Sequence, residues 1–283
     1  MRLVVLVCLT MVAFALNSVL NRAAVDGGHA DASAFASVRV LAGAAVLLMV
    51  TSVQRGWRVE IFSRRRWAGG AALAVYMIGF SFAYISLDAG LGALILFGTV
   101  QVSLFLHAAF SADRPGLFQI VGASVAFAGL LIALWPDGSR MGGASGALFM
   151  FAAGLGWAAY TLAGRGARDA TAVTASHFVL CTPFLSILLI QPGLSLTPVG
   201  WGLAILSGAV TSGLGYSLWY AVLPGLPGAR AAVVQLSVPI IAILLGALML
   251  QESVGLKVVL AAVLVVGGIA VALISPKVPA GRT

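Results

Sequence analysis

A single arginine, Arg39, stands inside the stretch "FASVRVLAGAA" with no other charge beside it. Few options are open to a cation in so apolar a setting. It can snorkel along its aliphatic stem, clamp backbone carbonyls, or meet a carboxylate, its own or a substrate's. Other polar groups recur at helical spacing. Asn17 and Asn21 are four apart and share a face, Tyr76, Phe80 and Tyr84 form an i, i+4, i+8 stripe, and Tyr216 and Tyr220 repeat that spacing. Trp157 and Tyr160 belong with them, and Gln101 and Gln235 stand in "GTVQVS" and "VVQLSVPII". Such groups either pack and hydrogen-bond between helices or line a cavity that takes a solute. His107 and His177 are the candidate proton relays, the alternative being neutral imidazoles hydrogen-bonded within a bundle. Pro239 removes a backbone donor and frees the carbonyl of Gln235, so the chain is expected to bend there, as a kink or as a hinge.

The elements that carry these residues must lie in lipid. Of 283 residues 61% are hydrophobic and 8% charged, and mean hydropathy is +1.09, whereas soluble domains are about one quarter charged. The apolar runs are continuous rather than alternating, which points to an all-α membrane protein and excludes a barrel. Ten spans are expected, over 3–23, 32–53, 67–87, 89–110, 116–135, 144–164, 170–191, 200–223, 228–250 and 255–275. Arg39 then falls about eight residues, roughly 12 Å, into the second, where a lone cation costs at least about 3 kcal/mol. The opening "MRLVVLVCLTMVAFA" has the makings of a signal peptide, but its apolar run continues through Leu20, so retention is expected. Cys8 and Cys181 fall in different spans and are expected to pack.

Basic residues set the orientation. With the N-terminus inside, Arg2, Arg55, Arg58, Arg64, Arg65, Arg66, Arg114, Arg165, Arg168, Arg230, Lys277 and Arg282 face the cytoplasm. Only Arg22, Arg140 and Lys257 face outward, so both termini are expected in the cytoplasm, and a multi-pass protein of a bacterial-type inner membrane results. The net charge of +8 is thus a topology signal, and no nucleic-acid partner is expected.

The second half of the chain resembles the first at a shift of about 140 residues. "FALNSVLNR" falls on "WAAYTLAGR", Phe35 on Phe178, "GFSFAYISL" on "GYSLWYAVL", and Ala112 and Asp113 on Gln251 and Glu252. Five spans per half is an odd number, so the halves are expected to enter the membrane in opposite senses, as repeats 1–137 and 138–283. Their loops agree, since the basic "QRGWRVEIFSRRR" corresponds to the uncharged "QPGLSLTPVG". Inverted repeats make inward-open and outward-open states near mirror forms, which is the basis of alternating access around a midplane site.

The residues resemble the drug/metabolite transporter superfamily, in particular its EamA-type ten-helix members. The likeness covers essentially the whole chain and is carried by "FALNSVLNR", "FASVRVLAGAA" with Phe35 and Arg39, "AYISLDAGLGALILFGTVQ", "GWAAYTLAGRG" and "RAAVVQLSVPIIAILLGALMLQE". In the last, Pro239 and Glu252 match the family's mid-helix Pro and later Glu. Gln251 stands where the family commonly has Gly, and Val100 or Gln101 where it commonly has Pro. The resemblance implies a secondary transporter, often an exporter, of small amphipathic metabolites such as amino acids, or of drugs. The lipid bilayer is the other partner, proton coupling would rest on the two histidines, and no cofactor or metal is implied. A passive channel, facilitator or flippase is the alternative; a sensor would need an output domain that the chain lacks, and the motifs of an intramembrane enzyme are absent. The stretches "GASVAFAG" and "GGIAVAL" offer small residues for close helix packing or a homodimer face, at the periphery.

Overall fold

The computed structural model describes residues 2–55, 61–110, 115–134, 144–190, 194–226, 228–251 and 254–273. Arg58, Asp113, Arg114, Arg140, Glu252, Lys277 and Arg282 lie outside the described residues. The apolar runs form helices, because in hydrocarbon each backbone donor must find its acceptor within its own segment. These are α1 (Arg2–Val25), α2 (Ala32–Arg55), α3 (Arg64–Ala83), α4 (Ala89–Ala109), α5 (Leu117–Leu134), α6 (Ala144–Gly164), α7 (Ala170–Ser186), α8 (Pro198–Leu206), α9 (Gly215–Val222), α10 (Gly228–Gln235), α11 (Ser237–Leu250) and α12 (Leu256–Leu273). No strand forms among the described residues.

Six stretches are helical, long and apolar enough to cross a membrane: Arg2–Val25, Ala32–Gln54, Ala89–Ala109, Ala144–Gly164, Ala170–Ile190 and Val233–Leu250. The remaining expected spans are also helical, but shorter or interrupted. α3 opens on Arg64, Arg65 and Arg66, while α5 and α12 are apolar over Leu117–Gly129 and Val259–Ala272. The eighth expected span is one continuous rod in three pieces: α8, a π-helical segment over Ser207–Leu214, and α9. The ninth breaks at Leu236, between α10 and α11, three residues before Pro239.

Caps set several starts. The Asp169 carboxylate accepts from the N–H of Ala172 at 3.1 Å at the start of α7, and Thr197 Oγ1 accepts from Gly200 N–H at 3.1 Å ahead of Pro198 in α8. At the far end of α11, Gln251 takes a left-handed backbone, φ 54°, where the family resemblance leads one to expect Gly.

The packing joins the two halves of the chain throughout. α2 lies on α7, α5 on α12, α4 on α11; α3 packs on α6 as α1 does on α9 and the π segment. α4 touches α6, and α1 touches α11. The small residues of α5 and α12 are used on each other: a Cβ at Gly122 would meet the carbonyl of Gly268 and one at Gly268 the carbonyl of Gly122. Backbones meet there without intervening side chains, so these small residues serve close packing within the chain.

Gln251 carries the only positive φ of a non-glycine residue among those described. An L side chain in this region costs roughly 1–2 kcal/mol, part of which Gly gives back as backbone entropy. Gln251→Gly is expected to stabilise the folded protein by about 1 kcal/mol, read as a higher midpoint of thermal unfolding in detergent.

Candidate functional site: an arginine caged by hydroxyls and rings

Arg39 is fully buried where α2 meets the π segment. The approach is backbone to backbone, since a Cβ at Gly208 would run into the Arg39 carbonyl oxygen, and one at Gly43 into the Phe178 ring and the Gly208 carbonyl. The guanidinium Nε donates to Ser212 Oγ at 2.8 Å, and Nη2 donates to Tyr216 Oη at 2.7 Å and Tyr76 Oη at 3.2 Å. Its central carbon lies 4.9 Å from the Phe80 ring centre and 5.5 Å from that of Tyr76, within cation–π range. Nη1 has no partner. Both structural options for this residue are therefore corrected. It neither snorkels nor clamps carbonyls, because hydroxyls and ring faces solvate it inside the bundle. Nor does it meet an acid among the described residues: Asp26, Asp31, Asp88 and Asp169 all lie at helix ends or in loops.

Asn17 holds the hydroxyl side of this arrangement in place. Its Oδ1 accepts from Ser207 Oγ at 2.9 Å, from Ser212 Oγ at 3.1 Å and from Thr211 Oγ1, while Nδ2 donates to the Thr211 carbonyl at 3.2 Å. The π geometry is what allows this. Residues five apart point about 140° apart on an α-helix, whereas an i→i+5 hydrogen-bond pattern brings them toward one face, as Ser207 and Ser212 require. Ser212 thus receives from Arg39 and gives to Asn17. The amide of Asn17 is wholly engaged in joining helices. Asn21, on the same face, donates to Ser81 Oγ at 3.0 Å on α3, and its Oδ1 is unpaired.

Trp157 sits at the centre of the ring cluster. Its centroid is 4.7 Å from Tyr216, 4.9 Å from Tyr76, 5.0 Å from Phe14 and 5.3 Å from Tyr160. Its indole N–H donates to Gln235 Oε1 at 2.7 Å, and Gln235 Nε2 donates to the Ala231 carbonyl at 3.2 Å, so the end of α10 is tied to α6. Tyr160 stacks on Tyr220 at 4.9 Å, and Tyr220 Oη donates to the Tyr160 carbonyl at 2.7 Å. His177 lies edge-on to both rings, with Nδ1 3.4 Å from Tyr220 Oη and Nε2 unpaired. A Cβ at Gly69 would enter this imidazole, so α3 presses directly on it. Tyr84 continues the stripe, 4.9 Å from Phe80, and its hydroxyl donates to the Ala89 carbonyl at 3.3 Å.

Two expected members stand apart. His107 is exposed on the outer face of α4, which removes it from any relay through the bundle. Gln101 is buried with both amide atoms unpaired, yet it borders a groove of about 340 Å³ between α4 and α5, with Val102, Phe105 and Phe127, rather than the Arg39 cage. Gln235, by contrast, is engaged with the Trp157 indole. Conversely, Phe14, Ser207, Thr211, Ser212 and Trp219 belong to the cluster and were not anticipated. The signal for three of them was "SGAVTSGL", whose hydroxyls and glycines are too many for a simple apolar span.

The two ends of the bundle differ. At one, the loop after α1 and the segment before α8 form a latch: Ala30 and Leu196 make an antiparallel bridge, Asp31 N–H donates to the Ser195 carbonyl at 3.0 Å, the Asp31 carboxylate accepts from Ser195 N–H, and Thr197 N–H donates to the His29 carbonyl at 2.9 Å. Arg22 pairs there with Asp26 at 3.0 Å and Asp88 at 3.1 Å. At the other end, α3, α6 and α7 surround a cavity of about 400 Å³ lined by Arg65, Arg66, Arg165, Arg168 and Asp169, with Ser176 on its wall.

A helical membrane protein with a buried polar cage contributed by both halves of its chain has an architecture that transporters use. Residues 144–274 match the EamA-like transporter family, and the chain is 44% identical over 274 residues to an uncharacterized protein of Pseudomonas aeruginosa, covering 96% of this chain and 94% of that one. The chain belongs to the EamA-like transporter family, within the drug/metabolite transporter superfamily. A protein solved by crystallography superimposes with a TM-score of 0.73 over 94% of this chain and 96% of that one, at 19% identity, a likeness of fold alone.

Removing the Asn17 amide leaves the buried hydroxyls of Ser207 and Ser212 without their acceptor and Thr211 with the Ser207 carbonyl alone. Asn17→Ala is expected to destabilise the protein by about 1–3 kcal/mol, measured as a lowered midpoint of thermal unfolding, with Ser207→Ala costing less because Thr211 and Ser212 keep their acceptor.

Proposed function

We propose that the chain is a secondary active transporter working by alternating access, with ten spans arranged as inverted repeats 1–137 and 138–283. The observation that carries this is the Arg39 cage. Its cation comes from α2, two rings and the Tyr76 hydroxyl from α3, its other hydroxyls from the π segment and α9, and its indole from α6, so any rocking of one half against the other opens or closes it. Helix directions support the inversion. α1 runs toward the latch at residues 29–31, whereas α6 starts at that end, where Gly146 lies against Ser86 and Leu87, and finishes beside Arg65. The pairings α2 with α7, α5 with α12 and α4 with α11 also map onto themselves when the halves are exchanged.

A latched end and an opposite end with a cavity are what one state of such a cycle requires. The arginine-rich end is the cytoplasmic one by charge, which puts both termini inside, and Arg22 at the other end is neutralised by its aspartates. The solute is a small amphipathic metabolite, such as an amino acid or related compound, or a drug, moved outward across the cytoplasmic membrane, with Asn21, Arg39, Tyr76, Phe80, Trp157, Tyr160, Tyr216 and Tyr220 around it and Gln235 and Asn17 holding the frame. His177 is the remaining internal candidate for proton coupling. The break beside Pro239 acts as the hinge.

Purified protein in liposomes is expected to move such a solute at a rate that saturates; a rate that rises linearly with concentration favours a channel. Cysteines at Asp31 and Ser195, oxidised to a disulfide, should hold the latch and stop uptake, and a reductant should restore it. Unimpeded transport by the cross-linked protein overturns alternation at this end.

A further inference from the structure

We propose that the transported solute is an organic carboxylate with an aromatic or apolar body, docked by Arg39 and gathered by the arginine-lined cavity. This substrate class presupposes the transport function above and adds the charge of what is carried. The first ground is the state of Arg39. It is wholly buried, its three hydrogen bonds all go to neutral hydroxyls, and Nη1 is left without a partner. A buried cation with no counter-ion among the described residues is costly, and the rest of its fork is positioned by Ser212, Tyr76 and Tyr216. A carboxylate reaching Nη1 would supply both the missing charge and the missing acceptor, and the hydroxyls of Tyr76 and Tyr216 can each rotate to share it.

The second ground is the mouth. The cavity brings four arginines to one aspartate, and the carboxylate of Asp169 already caps α7 through Ala172 N–H. Fixed positive charge over a low-dielectric opening concentrates anions and repels cations. The third is the wall between the two. Ser176 lines the cavity, and the adjoining His177 touches the rings of Tyr160 and Tyr220; Tyr160 lies 5.9 Å from Tyr216, whose hydroxyl reaches Arg39. A positive mouth, a wall of rings and a positive end suit a ligand that is anionic at one point and apolar elsewhere. A cationic amine would meet repulsion at both ends.

The test uses three probes with one body and three charges: 3-phenylpropionate, 3-phenylpropanol and 3-phenylpropylamine. Binding to the full chain in detergent is followed by calorimetry, and uptake is followed in liposomes of phosphatidylcholine, so that anionic lipid does not compete. The acid is expected to bind about tenfold or more tightly than the alcohol, the amine weakest, with the preference for acid lost in Arg39→Gln and partly kept in Arg39→Lys. Arg65→Gln and Arg168→Gln, both at exposed positions, are expected to weaken acid binding a few-fold at low salt and little at high salt. Equal binding of acid and alcohol, tighter binding of the amine, a folded Arg39→Gln protein that still prefers the acid, or indifference to both surface substitutions at low salt overturns the proposal. Saturable uptake of the amine alone overturns it while leaving transport standing. Arg39-dependent binding of the acid without saturable uptake upholds the carboxylate site and overturns the transport function instead.

Discussion

One amide oxygen, Asn17 Oδ1, takes hydrogen bonds from three hydroxyls of another helix, and the geometry of the interior depends on that meeting. In a solvent of lipid chains the hydroxyls of Ser207, Thr211 and Ser212 have few places to go. Each can bond back to its own helix, as Thr211 also does to the Ser207 carbonyl at 3.0 Å, but a shared external acceptor satisfies all three at once. The π segment is the conformational adjustment that makes sharing feasible. It sets Ser212 where the Arg39 Nε can reach it, and it starts α9 at the angle that sends the Tyr216 hydroxyl to the same guanidinium. Amide, π turn, cation and phenol are therefore one mechanical unit.

Around this unit the apolar packing is conventional and the polar packing is not. Glycines at 43, 69, 154, 156 and 208 let helices touch where a Cβ would collide with a neighbour's backbone or ring, and that closeness brings the polar groups within bonding distance. The groups left unpaired include Arg39 Nη1, His177 Nε2 and Trp219 Nε1, all within the layer of rings that runs from the arginine to the arginine-lined cavity. Orphaned polar atoms in lipid are expensive, and those of Gln101, which borders the groove between α4 and α5, lie outside this layer.

How much of this was legible beforehand varied with the physics involved. Helix positions followed from uninterrupted hydropathy, since lipid leaves the backbone no other solution. The aromatic stripe on α3, the pair on α9 and the isolation of Arg39 were visible because helical periodicity and charge are local properties. What Arg39 binds was not visible: Tyr76 and Ser212 are separated from it by 37 and 173 residues, and only the packing of α2 on the π segment unites them. Asn17 was recognised as a group with something to do, but not as one whose every atom is spoken for. The direction in which His107 faces was not legible, because a place in an apolar run does not say which way its helix face turns. The π segment escaped because hydropathy averages over it, although two glycines and three hydroxyls in "SGAVTSGL" signal a backbone under local competition for hydrogen bonds.

The cage draws unlike parts from unlike places. The cation and the amide come from the first 137 residues, and the indole, the π-turn hydroxyls and the Tyr216 phenol come from the remainder. Where the two halves of the sequence are superimposed, Asn17 falls on Tyr160 and Arg39 on Thr182. Neither half could rebuild the cage with a second copy of itself, because one pairing would place two guanidinium groups together and the other none. In assembly terms the cage is an interface between two unlike partners that are covalently joined, so a change on either side alters what the other meets.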